Sequence, residues 1–144
     1  MECRPDRTWA EIDLDRLVYN FKQFISITQI AGSLKQAKVM AVVKANAYGH
    51  GAVTVAKTLA KAGAGYLAVA TLNEAVELRD AGISLPLMVL NYVAPQRSME
   101  LLRHGVTATV CSPEAAEILS DAAIRCEKKA KVHIKIDTGM TRVG

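Results

Sequence analysis

Cysteine, aromatic residues and long apolar segments are all scarce in this sequence. Only three cysteines occur among 144 residues, Cys3, Cys111 and Cys126, and no two of them form a Cys-x-x-Cys pair. This odd and scattered set argues against a disulfide framework and against a zinc site. No apolar run approaches the roughly 20 residues that a membrane span requires, and no hydrophobic signal-peptide region follows Met1. The sequence therefore predicts a cytoplasmic protein without a metal or a membrane partner.

No segment concentrates charge of one sign. The 18 lysines and arginines and the 14 acidic residues give a net charge of +4, and the basic residues are scattered rather than gathered in a run with aromatics between them. Because a nucleic-acid surface needs such a run or patch, no nucleic-acid partner is predicted. The 51% hydrophobic and 22% charged composition is that of an ordinary globular chain that can bury one core.

From residue 39 onward, an apolar strand, a turn and an amphipathic helix repeat roughly every 20 to 27 residues, as βα units require. After the first strand, which leads into Lys44, the pattern predicts four more strands, over residues 66–70, 85–90, 106–111 and 131–136. Five strands joined by four helices in this order predict a parallel sheet with right-handed crossovers. A TIM-type (β/α)8 barrel needs eight strands over about 250 residues, so this chain supplies about five βα units of an incomplete barrel.

Capping residues mark the predicted helix starts. Thr71 and Glu74 have the spacing of a capping box, and Pro95 opens the next helix. Ser112 followed by Pro113 is typical of an N-cap and the first helical residue. The helix that they start is predicted to pack four residues inward: Ala116, Ile118, Leu119 and Ala122.

Ahead of the repeat, residues 8–14 alternate between apolar and polar side chains and predict a short strand. Asp13 can then cap a helix. The apolar residues of that helix lie on one face: Leu17, Val18, Phe21 and Ile25.

Residues 41–51 read Ala-Val-Val-Lys-Ala-Asn-Ala-Tyr-Gly-His-Gly, an apolar strand that leads into a lysine and a glycine-punctuated turn. At the carboxyl end of a buried parallel strand, partial desolvation favours the neutral, nucleophilic form of Lys44. Such an amine can form a Schiff base with an aldehyde such as pyridoxal phosphate. The alternative is a lysine that ends the strand and extends its amine to water.

The eight residues from Lys44 to Gly51 resemble the cofactor-lysine motif of the alanine racemases without a departure. The resemblance implies that Lys44 binds pyridoxal 5'-phosphate through an imine and that Tyr48 reaches the cofactor phosphate with its hydroxyl. Gly49 and Gly51 allow positive φ angles and close approach of backbone amides to an anion. His50 between them is interpreted as a turn residue that supports this loop.

The last predicted strand alternates between an apolar face, with Val132, Ile134 and Ile136, and a polar face, with His133, Lys135 and Asp137. The polar face is predicted to look into the barrel, where an unpaired charge is costly and needs a partner. One interpretation pairs Lys135 with Asp137 or with another carboxylate.

This segment also resembles the second racemase motif, in which the strand lysine is carbamylated and its negative charge holds an arginine seven positions later. In this sequence those residues are Lys135 and Arg142. The resemblance implies that Arg142 donates to the phenolic oxygen of the cofactor and to the substrate carboxylate. Thr141 departs from the glycine that many relatives have at its position. This departure bears on the conformation expected for the loop and not on the expected chemistry.

The resemblance covers residues 7–144 and implies pyridoxal phosphate-dependent racemisation of L-alanine and D-alanine, which supplies D-alanine for cell-wall peptidoglycan. It implies that Lys44 is the base on one face of the substrate, and that a tyrosine from the partner subunit of a homodimer serves the other. Residues 1–144 are then the N-terminal part of the cofactor-binding barrel domain, without the C-terminal β domain and inactive alone. The alternatives are a racemase of another amino acid, a fold-related pyridoxal phosphate decarboxylase and a non-catalytic cofactor-binding fragment.

Overall fold

The computed structural model describes residues 8–30 and 37–144, so Cys3 lies outside the described residues. Helix α1 spans Leu14–Ile30, strand β1 spans Met40–Val42, and a short left-handed turn occupies Lys44–Tyr48. The elements that follow are α2 (Ala52–Lys61), β2 (Tyr66–Val69), α3 (Leu72–Asp80), β3 (Leu87–Val89), a 3-10 turn (Pro95–Arg97), α4 (Ser98–Arg103), β4 (Ala108–Val110), α5 (Pro113–Arg125) and β5 (Val132–Ile134). No helix in the two described ranges is long and apolar enough to cross a bilayer.

The strands follow one another in chain order and all run parallel, as predicted. β1, β2 and β3 form one ladder, and β4 pairs with β5. A parallel bridge between Met88 and Thr107 joins the two ladders. Because parallel strands present their carboxyl ends at one edge, the segments after all five strands meet at the same edge of the sheet.

The core lies between the sheet and the helices that cover one of its faces. Its largest fully buried side chains come from strands, from the segment after β1 and from α3 and α4: Leu67, Leu78, Leu87, Leu101, Val43, Val69 and Val89. Each such side chain contributes roughly 1.5–3 kcal/mol relative to full exposure. From α1, Phe21 is buried, and Leu17 and Ile25 pack against the same core, as its apolar face predicts.

The predicted helix starts at Asp13, Thr71 and Ser112 are confirmed. The Asp13 carboxylate accepts hydrogen bonds from the amides of Asp15 and Arg16, both at 3.0 Å. Thr71 and Glu74 form a complete capping box at the start of α3. The Ser112 hydroxyl accepts the amide of Ala115 at 3.2 Å, with Pro113 at the first position of α5.

Two predicted elements differ from the structure. Within the predicted strand over residues 8–14, residues 8–13 form no strand, since no backbone ladder pairs them with any strand in the described ranges, and Leu14 already begins α1. The helix predicted from Pro95 begins as a 3-10 turn, and its α-helical part is only the six residues of α4.

The buried face of helix α5 differs from the predicted one. Leu119, Ala122 and Ala123 are buried, whereas Ala116 and Ile118, which were predicted to pack inward, are exposed. One flank of α5 borders an apolar groove whose other wall is β5, and Cys111 lies on the same groove. The exposed fraction of Ile134 on β5 is 78%. Among the described residues, no helix covers this side of β5, which is why part of the α5 apolar surface stays exposed.

Candidate functional site

The turn after β1 has an unusual backbone. Val43 is 2% exposed, and its amide donates to the Ala68 carbonyl at 2.8 Å, which extends the ladder up to Lys44. Ala45, Asn46, Ala47 and Tyr48 then adopt φ angles of 51°, 53°, 52° and 56°. The left-handed conformation costs about 1–2 kcal/mol for each non-glycine residue, so hydrogen bonds around the turn must hold it.

Side chains within the motif stabilise the later part of this turn. The Asn46 side-chain oxygen accepts the amide of Ala52 at 2.8 Å, which ties the turn to the start of α2. The His50 ring nitrogen Nδ1 lies 2.8 Å from the Ala47 carbonyl and 3.2 Å from that of Tyr48. These contacts agree with the interpretation of His50 as a turn residue.

Glu74 stabilises the beginning of the turn from a neighbouring loop. One carboxylate oxygen accepts the amide of Ala45 at 2.7 Å, and the other accepts the amides of Ala70 at 2.7 Å and Thr71 at 2.9 Å. Sequence reasoning identified Glu74 as a helix cap but missed its bond to Ala45. The capping-box spacing is local, whereas this contact joins residues 29 positions apart.

The predicted positive φ angles of Gly49 and Gly51 are confirmed, whereas the approach of backbone amides to an anion stays a prediction. The two φ angles are 86° and 89°. Their amides, however, donate to carbonyls inside the turn, Gly49 to Ala45 and Asn46, and Gly51 to Asn46 at 2.9 Å. The positive φ angles let the backbone close on itself, since a turn this tight brings its own carbonyls within reach of these amides.

Lys44 and Tyr48 present the reactive groups of the turn. Lys44 is half-buried, and the exposed fraction of Tyr48 is 59%. In the described parts of the chain, neither the Lys44 amine nor the Tyr48 hydroxyl has a hydrogen-bond or ion-pair partner. A half-buried amine of this kind can condense with an aldehyde, and an exposed phenol can donate to an anion.

At the other end of the same edge, Lys135 is half-buried directly after β5, and its amide donates to the Val110 carbonyl at 2.8 Å. The Asp137 carboxylate accepts the amides of Gly139 at 2.8 Å and Thr141 at 3.0 Å. The backbone hydrogen bonds from Thr141 and then Gly139 lower the pKa of Asp137, with a smaller electrostatic effect of Lys135. Asp137 therefore shapes the loop, and no ion pair between it and Lys135 occurs among the described residues.

Lys44 and Lys135 follow the first and last strands of the sheet, so they stand at the same edge but at its two ends. Arg142 is exposed and follows the Asp137 loop. Within residues 37–144, no side-chain hydrogen bond or ion pair joins Lys135 to Arg142, or either of them to Lys44 or Tyr48. The structure thus places Lys44 and Lys135 at one edge of the sheet, and within the described ranges no side-chain hydrogen bond or ion pair joins any two of the four predicted site residues.

Five parallel strands in chain order, alternating with helices, are part of a TIM-type (β/α)8 barrel, the class in which active sites form at the carboxyl ends of the strands. Within that class, the model of the alanine racemase N-terminal domain matches residues 12–144. The chain therefore belongs to the alanine racemase family.

Individual relatives agree with this assignment. The chain is 50% identical over 136 residues to an alanine racemase of Clostridium perfringens, covering 94% of this chain and 34% of that protein. It superimposes on the alanine racemase of Clostridium difficile 630 in complex with cycloserine with a TM-score of 0.89 at 42% identity, covering 99% of this chain and 38% of that one. A histidine racemase from Leuconostoc mesenteroides subsp. sake superimposes with a TM-score of 0.80 at 30% identity, covering 91% and 34%. The chain thus spans about a third of the length of these relatives.

Proposed function

We propose that this chain is the lysine-bearing part of a pyridoxal phosphate-dependent enzyme that interconverts L-alanine and D-alanine. The observation that carries the proposal is the turn after β1, which presents Lys44 and Tyr48 in a chain of the alanine racemase family. The chain matches its relatives over about a third of their length. The activity of a complete protein is therefore part of the proposal.

The residues of the turn fit pyridoxal phosphate in two respects. The half-buried Lys44 amine is free of protein partners in the described ranges and suits the cofactor aldehyde, while the exposed Tyr48 hydroxyl suits its phosphate. The self-bonded amides of Gly49 and Gly51 leave the remaining phosphate contacts to other groups. When bound, the cofactor withdraws electrons from the substrate Cα and so weakens its C–H bond.

Lys44 then moves the proton at Cα. Its amine removes the proton on one face of the substrate or returns one there, and only a neutral amine can act as the base. Racemisation needs a second acid or base on the opposite face. By family resemblance we assign that role to a tyrosine of a partner subunit, which is also the reason for proposing a homodimer.

We assign Arg142 to the phenolic oxygen of the cofactor and to the substrate carboxylate, because a guanidinium matches both acceptors. Lys135, half-buried after β5, is proposed to be carbamylated and to hold Arg142 by charge. In the isolated chain Arg142 is exposed, so this pairing requires the complete site.

Racemisation of another amino acid is the second candidate, because the histidine racemase shares this fold at a TM-score of 0.80. The described residues contain no feature that selects the substrate side chain. A fold-related decarboxylase shares only the Lys-Ala-Asn core of the motif, which makes it the weaker proposal. A non-catalytic cofactor-binding fragment would show cofactor absorbance without turnover.

The test is a chimera, defined as the Clostridium difficile racemase with this chain in place of the segment that it matches. We expect the chimera to convert L-alanine to D-alanine and the same chimera with Lys44→Arg to show no conversion, since arginine keeps the charge but its guanidinium does not condense with an aldehyde. L-Histidine is the comparison substrate. Cofactor binding without racemisation of either amino acid would contradict the proposal, and preferential turnover of histidine would favour the second candidate.

A further inference from the structure

We propose that Glu74 is a positioning residue for Lys44, in addition to capping its own helix. The proposal rests on the assignment of Lys44 as the cofactor lysine. Its basis is the 2.7 Å hydrogen bond from the amide of Ala45, the residue directly after Lys44, to the Glu74 carboxylate.

The carboxylate joins two neighbouring strand ends. Through one oxygen it holds the backbone after β1, and through the other it holds Ala70 and Thr71 after β2, at 2.7 and 2.9 Å. Hydrogen bonds to an ionised acceptor are roughly twice as strong as neutral ones. Glu74 therefore fixes the Lys44 turn to a part of the sheet that is itself anchored by buried strand residues.

The hydrogen bond between Ala45 and Glu74 affects Lys44 because it holds the backbone directly after this lysine. Ala45 is the first of the four consecutive non-glycine residues with left-handed φ angles. The bonds of Asn46 and His50 act later in the turn, toward α2, and among the side chains of the described residues only Glu74 accepts the Ala45 amide. Without it, the backbone next to Lys44 can relax toward the right-handed region, which reorients the lysine relative to β1.

Variants at two other residues of the same region distinguish the positioning role of Glu74 from its capping role. Thr71 is the other half of the capping box and accepts the Glu74 amide at 3.3 Å, and its side chain makes no hydrogen bond to Ala45 among the described residues. Thr71→Ala therefore weakens the cap and keeps the Ala45 bond. Glu77 is an exposed acid on the same helix. Glu77→Gln is therefore the control for the loss of a negative charge alone.

The first measurement is backbone amide exchange followed by NMR in the whole chain without cofactor. We expect Glu74→Gln, which replaces one acceptor oxygen by a donor, to speed exchange of the Ala45 amide at least about tenfold. Thr71→Ala and Glu77→Gln should leave that rate within about twofold. Equal acceleration in Thr71→Ala, or no acceleration in Glu74→Gln, would overturn the proposal. If Glu74→Gln does not fold, Glu74→Asp keeps the charge but shortens the reach, and it is expected to show the same acceleration.

The second measurement adds pyridoxal phosphate and borohydride and maps the reduced label. The positioning role predicts that Glu74→Gln lowers the ratio of label on Lys44 to label on Lys57 by roughly tenfold, whereas Thr71→Ala preserves it. An unchanged ratio would also overturn the proposal. If the unaltered chain carries no label on Lys44, the proposed function fails, and the exchange rates still decide whether Glu74 anchors the turn.

Discussion

The Asp137 side chain fixes the loop that leads to Arg142. Its carboxylate accepts the amides of Gly139 and Thr141, and Thr141 has a φ angle of 52°. Glycine reaches such an angle without steric cost, whereas a β-branched residue does not. Thr141 therefore adopts an angle that favours glycine, and the hydrogen bond from its amide to Asp137 helps to hold the loop in this conformation.

These hydrogen bonds predict a pH dependence for the loop. The Thr141 and Gly139 amides lower the pKa of folded Asp137, so protection of these amides is fully present above the unfolded pKa of about 3.9 and is lost as pH falls through the lower folded value. Amide exchange between pH 7 and pH 2 would measure it, with Asp137→Asn as the variant that removes the titration. Loss of protection already above pH 5 would contradict this prediction.

Lys135 carries a second prediction at the scale of single residues. If a carbamate on Lys135 holds Arg142, then Lys135→Ala in the chimera should lower racemisation, and small carboxylates such as acetate should restore part of it by replacing the lost anion. Lys131→Ala, at an exposed lysine before β5, is the matched control. Full activity of Lys135→Ala without added carboxylate would rule out the role.

The start of helix α5 is set by a local signal, the N-cap residue Ser112. The Ser112 hydroxyl accepts the Ala115 amide, and an N-cap of this kind typically contributes about 1 kcal/mol. Ser112→Ala should lower the free energy of unfolding by about that amount in urea denaturation. Ser120→Ala, at an exposed position inside the same helix, should not lower it. Equal losses in both variants would show that the cap contributes nothing specific.

Local signals of this kind made much of the fold predictable from the sequence. The caps at Thr71 and Ser112 and the apolar periodicity predicted helices α3 and α5 and the five strands, because these signals depend on residues close in the chain. The parallel strand order follows from the alternation of strands and helices, whereas the apolar alternation over residues 8–14 predicted a strand that does not form. The buried face of α5 was not predictable, since which apolar flank is buried depends on what packs beside β5. For the site, the motif residues were identified, but the contact of Glu74 with Ala45 depends on how two strand ends meet.

At the scale of the whole molecule, the open sheet determines what the isolated chain can do. β1 and β5 are the outer strands of the sheet described for residues 37–144, and Ile134 on β5 is 78% exposed. The Lys44 turn and the Arg142 loop, which would act together in the proposed site, lie at the two ends of this sheet.

We therefore predict that the isolated chain racemises L-alanine at least about 10²-fold more slowly than the chimera. Losing one positioned acid or base typically costs about 10²- to 10⁴-fold, and the isolated chain has no second group paired with Lys44 among its described residues. Conversion of L-alanine with added cofactor would be followed for both proteins at equal concentration, after the oligomeric state of each is determined. Comparable rates would show that the isolated chain contains a sufficient site.

The measurement that tests the central assignment most directly is chemical trapping of the cofactor on the chain. The protein is incubated with pyridoxal phosphate, reduced with borohydride and digested, and the labelled peptide is identified by mass spectrometry, with Lys44→Arg as the control. The account predicts that the label lies on Lys44 and disappears in the control. A label on Lys38 or Lys57 with Lys44 unmodified would contradict it.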